Sequence, residues 1–224
     1  MTEQPEQQPK RRGSFWRELP VLLGVALLVA ILVRTFVLQT FWIPSPSMEH
    51  TLELNDRVLV NKLIYDFRDP RRGEIVVFVA PPEWRNHPED KDFIKRVIAI
   101  GGDHLVCCDP QGRLIINGVS LDEPYLYAAN GLTDPAASTE FDVVVPDGRL
   151  WVMGDHRSAS GDSLERYRIT RGDIERATID VDSVIGRAFA LFWPPGRATL
   201  LSVPDTFDSV PDPSSQQPAP ALPD

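Results

Sequence analysis

Cysteine and histidine are scarce in this chain, with two of the first and four of the second in 224 residues. The cysteines, Cys107 and Cys108, are neighbours, and neighbouring cysteines rarely meet disulfide geometry with each other. No third cysteine can pair with either, so a disulfide scaffold is excluded and free thiols in or near a strand are expected. His50, His87, His104 and His156 show no ligand spacing with them, so no metal site is expected. An excess of basic charge is also lacking. The net charge is −9 and the pI ≈ 5.0, which argues against a nucleic-acid partner. Amphipathic helices do not alternate with the strand-like segments, which excludes a parallel α/β sheet. No internal repeat is visible.

One long apolar run is present. It begins at Leu19, reads PVLLGVALLVAILV up to Arg34 and continues TFVLQTFWI. Counted to Leu38 it reaches about twenty residues, the length that crosses a hydrocarbon core. A cleaved secretory signal would need an A-x-A-like site after the run, and RTFVLQTFWIPSP offers none. A buried core helix is the other reading, but Lys10, Arg11, Arg12 and Arg17 on one side and Phe41-Trp42 on the other suit a membrane span. The basic flank predicts a cytoplasmic tail over 1–18, a transmembrane helix over 19–38 and an extracytoplasmic domain over 39–202. The polar, proline-containing ends at 1–18 and 203–224 read as disordered.

Between the ends, RVLVNKLIY, GEIVVFVA, FIKRVIAI, RLIINGVSL, EFDVVVP, RLWVMG and VIGRAFALFW read as strands separated by turn signals such as Asn117-Gly118 and Asp147-Gly148. The expected fold is mostly β: an antiparallel core with a smaller inserted β unit over 104–144, on a single N-terminal transmembrane helix. The long loop EPYLYAANGLTDPAAST marks the excursion.

Three segments could carry chemistry. In IPSPSM, Pro44 and Pro46 predict a stiff extended strand, in which Ser45 and Ser47 face the same way. The Ser47 N–H and the Ser45 hydroxyl are then placed to bind an oxyanion. A Pro-Ser linker leaving the membrane is the plainer reading. In FIKRVIAI, alternation puts Lys95 with Phe93, Val97 and Ala99, and Arg96 on the opposite face. Desolvation lowers a lysine from its ordinary pKa of about 10.4 and makes it a usable general base. A snorkelling lysine at a strand edge is the rival. The third segment, MGDHRSASGDS, is a tight polar loop in which Asp155 and Arg157 could pair to fix the loop. His156 or His104 could instead serve a Ser–His–Asp hydrolase. A membrane-tethered, non-enzymatic peptide-binding module is a further alternative.

In this order, and after a single N-terminal span, the segments resemble the bacterial type I signal peptidases (leader peptidases), a Ser–Lys peptidase family. The resemblance runs from the apolar helix to Pro194, through IPSPSMEHTL, NDRVLVNKL, RRGEIVVF, FIKRVIAIGGD and MGDHRSASGDS. It implies Ser47 as nucleophile, Lys95 as general base and Ser45 as side-chain oxyanion donor. It implies Ser160 as the serine that hydrogen-bonds the lysine, and Asp162 as the loop aspartate. Ile43, Met48, Leu52, Phe93 and Ile94 fall where the family lines pockets for small residues. The resemblance further implies an all-β core, no cofactor, exported preproteins as substrates and a bacterial cell membrane location; a monomer is expected. Pro46 and His50 depart from the family's usual glycine and proline, and Leu164 stands where many members have an arginine that pairs with the aspartate matching Asp162. Arg166 and Arg168 are the candidates to replace that partner.

Overall fold

The computed structural model describes residues 15–32, 34 and 37–213. Of the tails expected at 1–18 and 203–224, residues 1–14 and 214–224 lie outside the described residues, and 15–18 are helical. Two compact units divide the chain, Met1–Leu38 and Gln39–Asp224.

The first unit contains helix α1, Phe15–Leu32. Val21, Leu22, Leu23, Leu27 and Leu28 are each more than half exposed on it. No helix among the described residues is long and apolar enough to cross a membrane. At 18 residues α1 rises roughly 27 Å, short of a hydrocarbon core of about 30 Å. The expected helix over 19–38 is thus corrected at its far end. Gln39 and Thr40 break the apolar run, and Leu38 already belongs to strand β1, Leu38–Trp42.

In the second unit most strands form one antiparallel sheet. Its members are β1, β2 (Arg57–Asn61), β3 (Ile75–Val79), β4 (Asp92–Ile100), and, later in the chain, β11 (Arg149–Met153), β12 (Ile179–Asp180), β13 (Val184–Trp193) and β14 (Thr199–Leu200). The spatial order is β1-β2-β13-β3-β4-β11-β12, with β14 paired to β13. β-branched residues fill four of the five positions of β3 and the two buried positions of β2, where they suit a pleated, buried surface. The connection from β4 to β11 carries a second sheet, β5 (His104–Cys107), β6 (Leu114–Ile116), β7 (Val119–Ser120) and β10 (Phe141–Val144), in the order β10-β5-β6-β7. Between β7 and β10, β8 (Ala128–Ala129) and β9 (Leu132–Thr133) make a small hairpin. Helices α2 (Ser163–Ile169) and α3 (Ile174–Ala177) follow β11.

The second sheet lies within 104–144 but is not a separate subdomain. One hydrophobic cluster joins its Leu105, Leu114, Ile116 and Phe141 to Ile98, Trp151 and Met153 of the main sheet. The same cluster takes in Phe207 and Val210. This corrects the expected disorder from 203 onward, as far as Pro213. Phe207 stacks on Tyr125 with ring centroids 6.3 Å apart, and Arg72 reaches the carbonyls of Val210 and Pro211. Apolar anchors and hydrogen bonds to backbone carbonyls together hold this proline-rich segment down.

The cysteines also differ from expectation. Cys107 and Cys108 form a disulfide with each other across a cis peptide bond, their Cα atoms 3.0 Å apart. The expectation of free thiols assumed a trans peptide, which holds consecutive Cα atoms about 3.8 Å apart.

Candidate active site

Ser47 sits on a turn rather than in a strand. Ile43 is pinned in extended backbone by paired bonds, its N–H to Asp56 O (3.0 Å) and its carbonyl from Asn55 N (2.9 Å). Ser45 is still extended at φ −128° and ψ 154°, but Pro46–Met48 then forms one turn of 3-10 helix. The expected stiff strand therefore ends at Ser45, because the proline φ that suits an extended chain equally suits the first position of a helical turn. The two hydroxyls nevertheless stay together, with Ser45 Oγ 3.3 Å from Ser47 Oγ.

Lys95 lies in β4 opposite Val76 of β3, one residue beyond the last β4–β11 pair, Arg96 with Met153. Its Nζ is 2.6 Å from Ser47 Oγ and donates to Ile94 O at 3.1 Å. Ser47 and Lys95 are each 4% exposed. Burial lowers the Lys95 ammonium from 10.5 to about 8, against the opposing pull of the Asp162 and Asp155 carboxylates. Ile43, Met48, Leu52 and Ile94 meet in one buried cluster, whereas Phe93 packs on a different one, its ring centroid 5.6 Å from Lys95 Nζ. A neutral Lys95 placed this way can take the Ser47 proton, and Ser47 Oγ can then attack a carbonyl.

The loop after β11 supports both residues. His156 N donates to Ser47 O (3.2 Å), and Gly154 faces the same carbonyl so closely that no side chain fits. The expected pair between Asp155 and Arg157 does not form. Asp155 takes Arg96 instead, in a two-pronged contact at 2.8 and 2.6 Å, and also accepts from Thr51 Oγ1 at 2.5 Å. Arg157 turns to Glu123 and to the carbonyls of Gly154 and Ala136. Each guanidinium is thereby matched by a buried carboxylate, since an unpaired buried charge would be far more costly.

Asp162 has no arginine. Leu164 is buried in the core, Arg166 reaches the carbonyls of Glu83 and Trp84, and Arg168 pairs with Glu165. The Asp162 carboxylate instead accepts the N–H groups of Gly154, Leu164 and Glu165, capping α2. Burial raises its pKa, opposed by Ser160, the Gly154 N–H and Lys95. Ser160 does not bond Lys95 as the resemblance implied. Its Oγ is buried close enough to Asp162 to favour the ionised form, but without full hydrogen-bond geometry and with no other partner.

The family described as signal peptidase, peptidase S26, matches residues 16–193, a span holding every residue named so far in this site. The chain belongs to this family. Signal peptidase I of Mycobacterium tuberculosis (strain CDC 1551 / Oshkosh) is 37% identical over 86% of this chain and 77% of its own. Probable signal peptidase I-2 of Synechocystis sp. (strain ATCC 27184 / PCC 6803 / Kazusa) is 39% identical over 84% and 78%. A crystal structure of a signal peptidase I from Enterococcus faecalis V583 is 27% identical, covers 54% of this chain and 97% of its own, and superposes with a TM-score of 0.38. The protein is a peptidase, hence a hydrolase.

Several residues of this peptidase site escape a reading of sequence alone. Arg96 stacks on the Tyr125 ring at 4.1 Å while holding Asp155, and Glu123 accepts both Arg157 and the Tyr125 hydroxyl. The Arg96–Tyr125, Glu123–Arg157 and Arg96–Asp155 contacts span 29, 34 and 59 positions, beyond any local pattern. The two histidines considered as bases stand elsewhere. His104 contacts Asp142 on the second sheet at 2.6 Å, and His156 Nδ1 faces Pro46 O and Glu49 rather than Ser47 Oγ. No group of three or more His, Cys, Asp or Glu among the described residues could hold a metal ion.

Proposed function

We propose that the protein is a Ser–Lys endopeptidase that removes signal peptides from exported preproteins at a membrane surface. The 2.6 Å contact between Lys95 Nζ and Ser47 Oγ, in a buried apolar setting, carries the reading. An extended preprotein segment lies beside the Ser47 turn and pairs through its backbone, as strand-adding peptides do. Pockets floored by Ile43, Met48, Leu52 and Ile94, with Phe93 beside the lysine, admit alanine-sized side chains and turn away larger ones. Neutral Lys95 takes the Ser47 proton as Oγ bonds to the scissile carbonyl carbon. The Ser47 N–H and the Ser45 hydroxyl receive the oxyanion. Lys95 then returns the proton to the departing amine, and water hydrolyses the acyl-enzyme with Lys95 again as base. Asp155, Arg157 and Asp162 hold the loop, and the buried Ser160 hydroxyl lies near Asp162.

The base is tested by the pH dependence of preprotein cleavage. A lysine must be neutral to act, so kcat/KM should fall as pH drops below about 8, where Lys95 gains its proton. His104→Ala and His156→Ala should keep that acidic limb, whatever their rates. A limb near the ordinary histidine value of about 6.5 that vanishes in His156→Ala would establish a histidine base instead.

Attachment to the bilayer is part of the same proposal. The exposed apolar side chains of α1 and the basic residues before it support an anchor with a cytoplasmic N-terminus and an extracytoplasmic catalytic domain. Protease added to intact spheroplasts should digest the catalytic domain and spare the N-terminal tail. Protection of the domain would overturn this topology.

A further inference from the structure

We infer that His156 is a positioning residue, which holds the Pro46–Met48 turn so that Ser47 Oγ stays within reach of Lys95. The inference rests on the Ser–Lys reading. One residue binds both turn carbonyls next to the nucleophile: its backbone N–H donates to Ser47 O at 3.2 Å, and its Nδ1 lies 3.2 Å from Pro46 O. The same Nδ1 is 3.0 Å from Glu49 Oε2. A carbonyl and a carboxylate are both acceptors, so Nδ1 carries a proton and shares it between them. The turn is thereby closed into a ring, because Glu49 also donates its N–H to Pro46 O at 2.9 Å.

The imidazole is itself fixed. Tyr127 stacks on it with ring centroids 3.8 Å apart and planes 18° from parallel. Tyr127 is held in turn by its N–H to Asp155 O (2.9 Å) and by Asp134 N donating to its carbonyl (2.8 Å). Glu49 is the charged group in contact with the ring, and Tyr127 is the titratable one.

The test uses the full chain, a preprotein substrate and three variants. A displacement of about 1 Å at a reacting atom can cost about 10²-fold. His156→Ala should therefore lower kcat by roughly 30- to 100-fold with KM changed less than about twofold. His156→Asn puts an amide N–H where Nδ1 stands and should recover most of that loss. His156→Phe keeps a ring against Tyr127 without the donor, and should stay as slow as alanine. All three should keep the acidic limb of the parent. If His156→Ala destabilises the fold, asparagine against phenylalanine still decides, both being compared at matched melting temperature. A parent-like kcat in His156→Ala or His156→Phe, or asparagine no better than alanine, overturns the inference, as does loss of the acidic limb. Lys95→Arg in the same assay separates the two readings. An active Lys95→Arg removes the Ser–Lys mechanism, whereas a dead Lys95→Arg beside a full-rate His156→Ala removes only the positioning role.

Discussion

Lys95→Arg should abolish preprotein cleavage, and so should Ser47→Ala. Arginine keeps the positive charge but stays protonated at any working pH, so it cannot accept the Ser47 proton. Its larger head must also enter a site where Lys95 is almost completely enclosed. Alanine at 47 leaves nothing to attack the carbonyl. By analogy with other serine peptidases stripped of nucleophile or base, the rate should fall on the order of 10⁴-fold or more. Circular dichroism should show the domain still folded, since Ser47→Ala deletes a single oxygen and leaves the turn backbone bonded. Lys95→Met gives an uncharged control that packs in the same space. Cleavage at even a tenth of the parent rate by Lys95→Arg or Ser47→Ala would move the chemistry to other residues.

Gly154→Ala should also be damaging, though by less, because it displaces the nucleophile without removing it. A Cβ at 154 would meet Ser47 O and Ser160 Oγ well inside van der Waals contact, and Ser160 Cβ at 2.8 Å. The obstacle is space, not backbone conformation, because the carbonyl of the Ser47 turn passes directly over the glycine. The loop cannot simply move away, since Gly154 N is bound to Asp162 and Gly154 O to Arg157. The turn must shift, and a shift of about 1 Å predicts a fall in kcat of about 10²-fold. Steady-state kinetics with a preprotein measures this directly. An alanine variant within twofold of the parent would show that the turn has room to yield.

The main features of fold and site differ in how far they could be read from sequence. The antiparallel strands were legible because each is a short β-branched run between turn signals, and seven such segments recur as strands at Arg57–Asn61, Ile75–Val79, Asp92–Ile100, Leu114–Ile116, Phe141–Val144, Arg149–Met153 and Val184–Trp193. That Ser47 and Lys95 drew attention follows from local pattern too: prolines around one, apolar alternation around the other. Pairing between charges was not legible. Asp155 and Arg157 are two apart in sequence, yet each finds its partner across the fold, in Arg96 and Glu123. The cis Cys107–Cys108 peptide leaves no trace in composition. Phe207 and Val210 were hidden among prolines and polar residues, where only two anchors break a disordered pattern.

The burial of Lys95 bears on folding as well as on catalysis. The native lysine titrates at about 8 and its reference value is 10.5, so between those pH values the unfolded chain binds more protons. Stability contributed by this residue therefore increases as pH rises through that window, and below it the native state bears the full deficit. At about 1.36 kcal/mol per pH unit the deficit is roughly 3 kcal/mol. Domains are typically stable by only about 5–15 kcal/mol. Lys95, the base under the proposed Ser–Lys reading, thus sits in a fold that its own charged form weakens.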